Sequence, residues 1–104
     1  YGGPTTAHYA ASKAGLISLT QVLARWGAQH GILVNSISPG IIETDLTREE
    51  LRSGGGAGVV ALTLLKRPGQ VEDVSSIAVM LASDEQNYMT GQTISPNGGS
   101  YFTD

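Results

Sequence analysis

Tyr9 and Lys13 are the residues of this chain whose types and spacing suit proton-transfer chemistry. Four positions apart, they share one face of a helix. An ammonium beside a phenol favours the phenolate, and a helix N-terminus favours negative charge in the same sense. A phenol so placed is able to give a proton to a carbonyl oxygen, or take one from an alcohol. The ammonium also suits the holding of polar groups such as sugar hydroxyls. A Tyr and a Lys at this spacing occur by chance in many helices, so the surroundings matter. Here the pair lies in Tyr9-Ala10-Ala11-Ser12-Lys13-Ala14-Gly15, whose small side chains let a ligand or a neighbouring helix approach the backbone closely.

The pair needs a helix to position it. Residues 7–30 are rich in Ala, Leu and Gln, with Leu16, Leu19, Leu23 and Trp26 at helical spacing and Gly31 as a stop. Gly15 and Gly27 each cost that helix about 1 kcal/mol relative to Ala, which predicts close packing at both positions. Residues 32–38 are a short apolar run closed by Pro39-Gly40, the pattern of a strand covered on both faces in a parallel sheet. Pro39-Gly40 turns the chain just past the strand's C-terminal end, where open α/β sheets bind ligands; taken alone it is also an ordinary turn. Thr47-x-x-Glu50 is a capping-box pattern and predicts a short helix from about Arg48. The run Gly54-Gly55-Gly56, with Gly58, then breaks it, and the entropy of ordering these glycines predicts a mobile segment. Val59 to Leu65 predicts a further short helix. Beyond Pro68-Gly69, Glu72 and Asp73 suit a helix N-terminus, and Val74, Ile77, Ala78 and Leu81 give an apolar stripe, so a helix is expected over 70–83. Residues 91–95 read as a last strand and Pro96-Asn97-Gly98-Gly99 as a turn. Helix, short turn and buried strand make half of a βαβ unit, and the class is α/β.

Composition excludes several functions. The chain has 104 residues, with 6 Lys+Arg against 9 Asp+Glu and a net charge of -3. So few basic residues argue against nucleic-acid binding. No apolar run approaches the length of a membrane span. With 0 Cys there is no disulfide scaffold, thiolate metal site or Cys nucleophile. His8 and His30 lack a third ligand at suitable spacing, so no metal site is expected. The length allows one domain at most. Charged residues make up only 14%, which fits a segment whose surface is normally buried against other structure.

The wording around the pair resembles the short-chain dehydrogenases/reductases. The family's Tyr-x-x-x-Lys motif is matched by Tyr9 and Lys13, and the resemblance continues through Val34-Asn35-Ser36-Ile37-Ser38-Pro39-Gly40-Ile41-Ile42-Glu43-Thr44, Ser83-Asp84-Glu85, Thr90-Gly91-Gln92 and Gly98-Gly99. It covers nearly the whole chain and leans toward the 3-oxoacyl-thioester reductases, with sugars and small alcohols the other substrates it implies. It implies an oxidoreductase that moves a hydride between NAD or NADP and a carbonyl or alcohol carbon. Tyr9 would be the proton donor or acceptor, and Lys13 would assist it and hold the nicotinamide ribose. Pro39, Gly40, Ile42 and Thr44 would form the cofactor loop, Ile42 offering its backbone to the carboxamide and Thr44 its hydroxyl to the carboxamide or pyrophosphate. Residues 44–67 would be the substrate lid, with Leu46, Leu51, Val59, Leu62 and Leu65 as an apolar roof, and Arg48 and Arg52 isolated candidates for an anionic group. Tyr1 would border the substrate space. Pro96 and Asn97 depart from the family's usual tail, where an Asp commonly precedes the double Gly. The resemblance also implies a cytoplasmic protein.

The family's Gly-rich dinucleotide fingerprint, its catalytic Ser and its catalytic Asn have no counterpart in this sequence. Thr5 and Thr6 are too close to Tyr9 to stand in for the Ser. The chain is therefore expected to be the C-terminal part of a doubly wound Rossmann-type parallel sheet, its last two strands and flanking helices, incomplete on its own. Its expected partners are the missing N-terminal half, a small-molecule substrate and further copies, through the long helix and C-terminal elements. By itself the segment is expected to be inactive. The alternative is a non-enzymatic fragment that acts as an assembly or complementation partner.

Overall fold

The computed structural model describes residues 7–52 and 57–102. The opening loop with Tyr1, Thr5 and Thr6, and the Gly54–Gly56 break, lie outside the described residues. The elements in chain order are α1 (Ala7–Ala28), β1 (Ser36–Ile37), α2 (Arg48–Arg52), α3 (Ala57–Ala61), α4 (Val71–Ala82) and β2 (Thr93–Ile94). The strands form a two-stranded sheet. Ser36 N–H donates to Gln92 O at 2.9 Å and Ser38 N–H to Ile94 O at 2.8 Å; both numbers rise together, so the pair is parallel. This is the α/β arrangement expected. None of the described helices is long and apolar enough to cross a membrane. The chain divides into two compact units, Tyr1–Ser36 with Gln86–Thr93, and Ile37–Glu85 with Ile94–Asp104.

In the first unit, α1 packs through small residues. Its buried positions are Thr20, Ala24 and Gly27, spaced along one face. A Cβ on Gly27 would lie 2.9 Å from Ile32 O and 3.4 Å from Val34 Cγ2, so the returning chain leaves no room for a side chain there. The leucines at helical spacing lie on another face, left open as in a segment incomplete on its own. Leu16, Leu19, Leu23 and Trp26 are all exposed, Leu19 at 52% and Trp26 at 57%. The backbone passes too close to the helix to accommodate large side chains, so they point elsewhere. Gly15, also expected to mark close packing, has nothing within 4 Å of a built Cβ.

The helical hydrogen bonding ends at Ala28, short of residue 30, because the C-terminus closes in a Schellman motif. Gly31 takes φ 71°, its N–H donates to Ala28 O at 3.4 Å, and Ile32 N–H donates to Gly27 O at 2.9 Å. The first strand is likewise shorter than 32–38, because side chains replace the ladder before Ser36. Val34 N–H donates to Thr90 Oγ1 at 3.0 Å, while Asn35 donates from Nδ2 to Met89 O at 3.0 Å and accepts from Gln92 N–H at 3.1 Å. Ile32 and Leu33 are exposed rather than covered. The last strand is narrower than 91–95 for a related reason: Gly91, at φ 75°, turns its N–H to Val34 O at 2.7 Å, ahead of the regular pairing.

The second unit is built on caps. Ahead of α2, Thr44 and Thr47 form a reciprocal pair. Thr44 N–H donates to Thr47 Oγ1 at 2.8 Å and Thr47 N–H to Thr44 Oγ1 at 3.3 Å, while the Thr47 hydroxyl donates to Ile42 O at 2.7 Å. Helix α3 starts before Val59 and stops at Ala61, not Leu65. The Leu64 and Leu65 amides, which would continue it, donate instead to Gly98 O at 2.9 and 3.1 Å. The fully buried Thr63 holds this exit by donating to Val60 O at 2.8 Å and accepting from Lys66 N–H at 2.9 Å. Residues 70 and 83 are the caps of α4: Gln70 N–H donates to Asp73 Oδ2 at 2.7 Å, and Ser83 donates from N–H and Oγ to Met80 O.

Candidate functional site

Helix α1 brings Tyr9 and Lys13 together in the first unit. Lys13 Nζ lies over the Tyr9 ring, 5.6 Å from its centroid, within cation–π range. Tyr9 is 49% exposed, and the neighbouring Ala11, Ser12, Ala14 and Gly15 are exposed as well. The phenol and its cation therefore share an open helix face lined by small residues. His8 is exposed, and His30 stacks against Trp26, ring centroids 4.7 Å apart and tilted by 44°. Among the described residues no group of three or more His, Cys, Asp or Glu is placed to hold a metal ion.

In the second unit, Pro39, Gly40, Ile42 and Thr44 follow β1 as one half-buried loop. Gly40 N–H donates to Pro96 O at 3.1 Å. A Cβ on Gly40 would lie 2.8 Å from Asn97 Cα, so a glycine is required there to admit the tail. Ile42 forms a parallel bridge with Gly69: Gly69 N–H donates to Ile41 O and Glu43 N–H to Gly69 O, each at 2.8 Å. The residues flanking Ile42 carry these bonds, so its own N–H and C=O point to the opposite side. Thr44 is held by its exchange with Thr47, their hydroxyls 3.2 Å apart. A cavity of about 210 Å³ opens beside the loop, walled by Ile41, Leu65, Arg67, Asp73 and the Pro96–Gly98 segment. Of the expected roof, Leu46, Leu62 and Leu65 are exposed and Leu51 half-buried.

Arg67 and Asp73 are the charged residues of the cavity wall. Arg67 donates to Asp73 Oδ2 at 3.3 Å and to Pro68 O at 3.1 Å. The Gln70 backbone N–H, with the Arg67 guanidinium second, holds the Asp73 carboxyl below its usual range. Arg48 pairs with Asp45 at 3.0 Å and Glu43 at 3.7 Å. Sequence reasoning passed over Ser38. Its side chain is buried just before the loop, and its Oγ has no hydrogen-bond partner among the described residues. A polar residue inside an apolar strand run, next to Pro39, was the available signal.

Comparison with known proteins places these features in context. The family model described as enoyl-(acyl carrier protein) reductase matches residues 1–101. The chain is 46% identical over 101 residues to 3-oxoacyl-[acyl-carrier-protein] reductase of Salmonella typhimurium, covering 97% of this chain and 41% of that protein. It is 45% identical, with the same coverage, to the enzyme of that name from Escherichia coli K12. Among solved structures, a short-chain dehydrogenase/reductase from Brucella melitensis superposes with a TM-score of 0.85 at 38% identity, covering 98% of this chain and 41% of the other. ElxO with NADP bound gives 0.86 at 30% identity, covering 96% and 41%. The chain thus spans about two fifths of the length of the curated relatives it matches.

Proposed function

Because the chain belongs to the short-chain dehydrogenase/reductase family, we propose that it supplies the proton-transfer helix and part of the nicotinamide site of an NAD(P)-dependent reductase acting on the carbonyl of an acyl thioester. The observation that carries this reading is the Lys13 ammonium 5.6 Å from the ring centroid of an exposed Tyr9. In the direction of reduction, the Tyr9 hydroxyl gives its proton to the carbonyl oxygen as the carbonyl carbon accepts a hydride. Lys13 stabilises the tyrosinate that remains. In the reverse direction Tyr9 takes the alcohol proton.

Taken unit by unit, the residues present suit the nicotinamide end of such a cofactor. Lys13 would hold ribose hydroxyls, the backbone of Ile42 would meet the carboxamide, and the Thr44 hydroxyl would reach the carboxamide or pyrophosphate. The outward-turned Ile42 amide and the unpartnered Ser38 hydroxyl support a polar ligand at this loop. Pro39 and Gly40 shape the loop, Gly40 by admitting Asn97. When bound, the cofactor supplies or accepts the hydride. Either NADP or NAD suits this reading, since ElxO has NADP bound and a 4-hydroxyisoleucine dehydrogenase is complexed with NADH. A 3-oxoacyl thioester is favoured over an enoyl one by the names of the curated relatives.

The remaining strands, the dinucleotide fingerprint and the substrate-orienting Ser and Asn would come from an N-terminal half, and further copies would pack on the exposed face of α1. The coverage of the relatives supports the first of these. The test is reconstitution. A chain joined to, or mixed with, such an N-terminal half is expected to oxidise NADPH in the presence of a 3-oxoacyl thioester, whereas the 104-residue chain alone is expected to leave NADPH unchanged. Turnover by the chain alone, or a folded reconstituted protein with none, would overturn the reading.

A further inference from the structure

The tail turn joins the cofactor loop and the exit of α3 within the second unit. Pro96 O accepts the Gly40 N–H at 3.1 Å, within the cofactor loop. Two residues later, Gly98 O accepts the Leu64 and Leu65 amides at 2.9 and 3.1 Å, just past the end of α3. Asn97 stands between these bonds and determines the shape of the turn. Its Oδ1 accepts the Gly99 N–H at 2.9 Å, its Nδ2 donates to Tyr101 O at 3.0 Å, and its backbone O accepts the Ser100 N–H at 3.1 Å. Its Cα and Cβ lie where a Cβ on Gly40 would be, 2.8 Å away.

We infer that Asn97 is a positioning residue: its carboxamide locks the tail turn that holds the cofactor loop at Gly40 and the α3 exit at Leu64–Leu65 in one fixed relation. The chemistry requires an amide. Asn97 both accepts and donates, whereas an ionised Asp accepts only. A carboxylate at this position would keep the bond from Gly99 N–H but set a negative oxygen against the Tyr101 carbonyl. Asn97→Asp keeps the side-chain shape but puts a charged acceptor where that donor was, so it separates polar pairing from packing.

The inference rests on the reductase reading only for its kinetic arm. In the full-length protein that carries this chain, Asn97→Asp is expected to speed hydrogen exchange at the Gly40, Leu64 and Leu65 amides about tenfold, the scale of one lost hydrogen bond, with α1 amides unchanged. The ratio of variant to wild-type exchange is expected to return toward one as pH falls through about 4, where a protonated Asp regains a donor. In the kinetic arm, KM for NADPH is expected to rise with a smaller change in kcat. Exchange at the three amides equal to wild type overturns the inference, as does equal acceleration throughout the chain, α1 included, which would mark a general fold contact. A wild-type protein that reduces nothing would sink the reductase reading while the exchange arm still decides the role of Asn97.

Discussion

Single residues in this chain carry either chemistry or close approach. Tyr9 has its phenol exposed and its cation supplied four residues along the same helix, a geometry readable from spacing alone because one helical period fixes it. Ser38 could not be read the same way, because whether a strand hydroxyl finds a partner depends on residues far away in sequence. With its Oγ buried and unpartnered, Ser38→Ala removes an unsatisfied group at little packing cost. It is expected to stabilise the chain by about 1 kcal/mol in urea unfolding; destabilisation would mean that Oγ has a bonding partner. Gly27 is the opposite case. A methyl group there would meet Ile32 O at 2.9 Å, a backbone atom that has little freedom to move. Gly27→Ala is expected to cost about 1–3 kcal/mol in the same measurement, even though Ala favours helices, and a neutral result would mean that the returning chain yields.

At the scale of elements, the kinds of structure were legible and their ends less so. Helical periodicity and Gly31 located α1, and the acidic pair Glu72–Asp73 located the start of α4. The strands were overestimated because an apolar run does not reveal which backbone groups a neighbour will satisfy; Thr90 and Asn35 take that place before Ser36. The end of α3 was missed because Gly98 O, more than thirty positions downstream, accepts the amides that would have extended it. The α4 cap has a consequence for pH. The Asp73 carboxyl is lowered from 3.8 by the Gln70 N–H and by Arg67. A lowered folded value means that its contribution is fully present above the ordinary carboxylate value and is lost as pH falls through the lowered one. Hydrogen exchange in the first turn of α4 is expected to quicken over that interval relative to unstructured amides, and Asp73→Ala is expected to abolish the step. A step of equal size in the variant would assign the effect to another carboxyl.

At the scale of the whole molecule, what is exposed matters most. Leu16, Leu19, Leu23 and Trp26 share α1 with the Tyr9–Lys13 pair, and none of them is buried within the chain. Burying one such side chain is worth about 1.5–3 kcal/mol, so this face favours association with further structure. The chain alone is expected to self-associate in sedimentation experiments, and a compact monomer at high concentration would contradict that. The low charge fraction and the helical spacing of the leucines both pointed to such a face, while the small residues Thr20, Ala24 and Gly27 make the internal contact.

The proposed proton transfer by Tyr9, with Lys13 beside it, decides whether this chain serves a nicotinamide-dependent reduction. Its most direct test is NADPH oxidation by the full-length protein with a 3-oxoacyl thioester, comparing wild type with Tyr9→Phe at unchanged far-UV circular dichroism. The variant is expected to lose about 10²–10⁴-fold in kcat. A Tyr9→Phe protein that turns over at the wild-type rate would contradict the account.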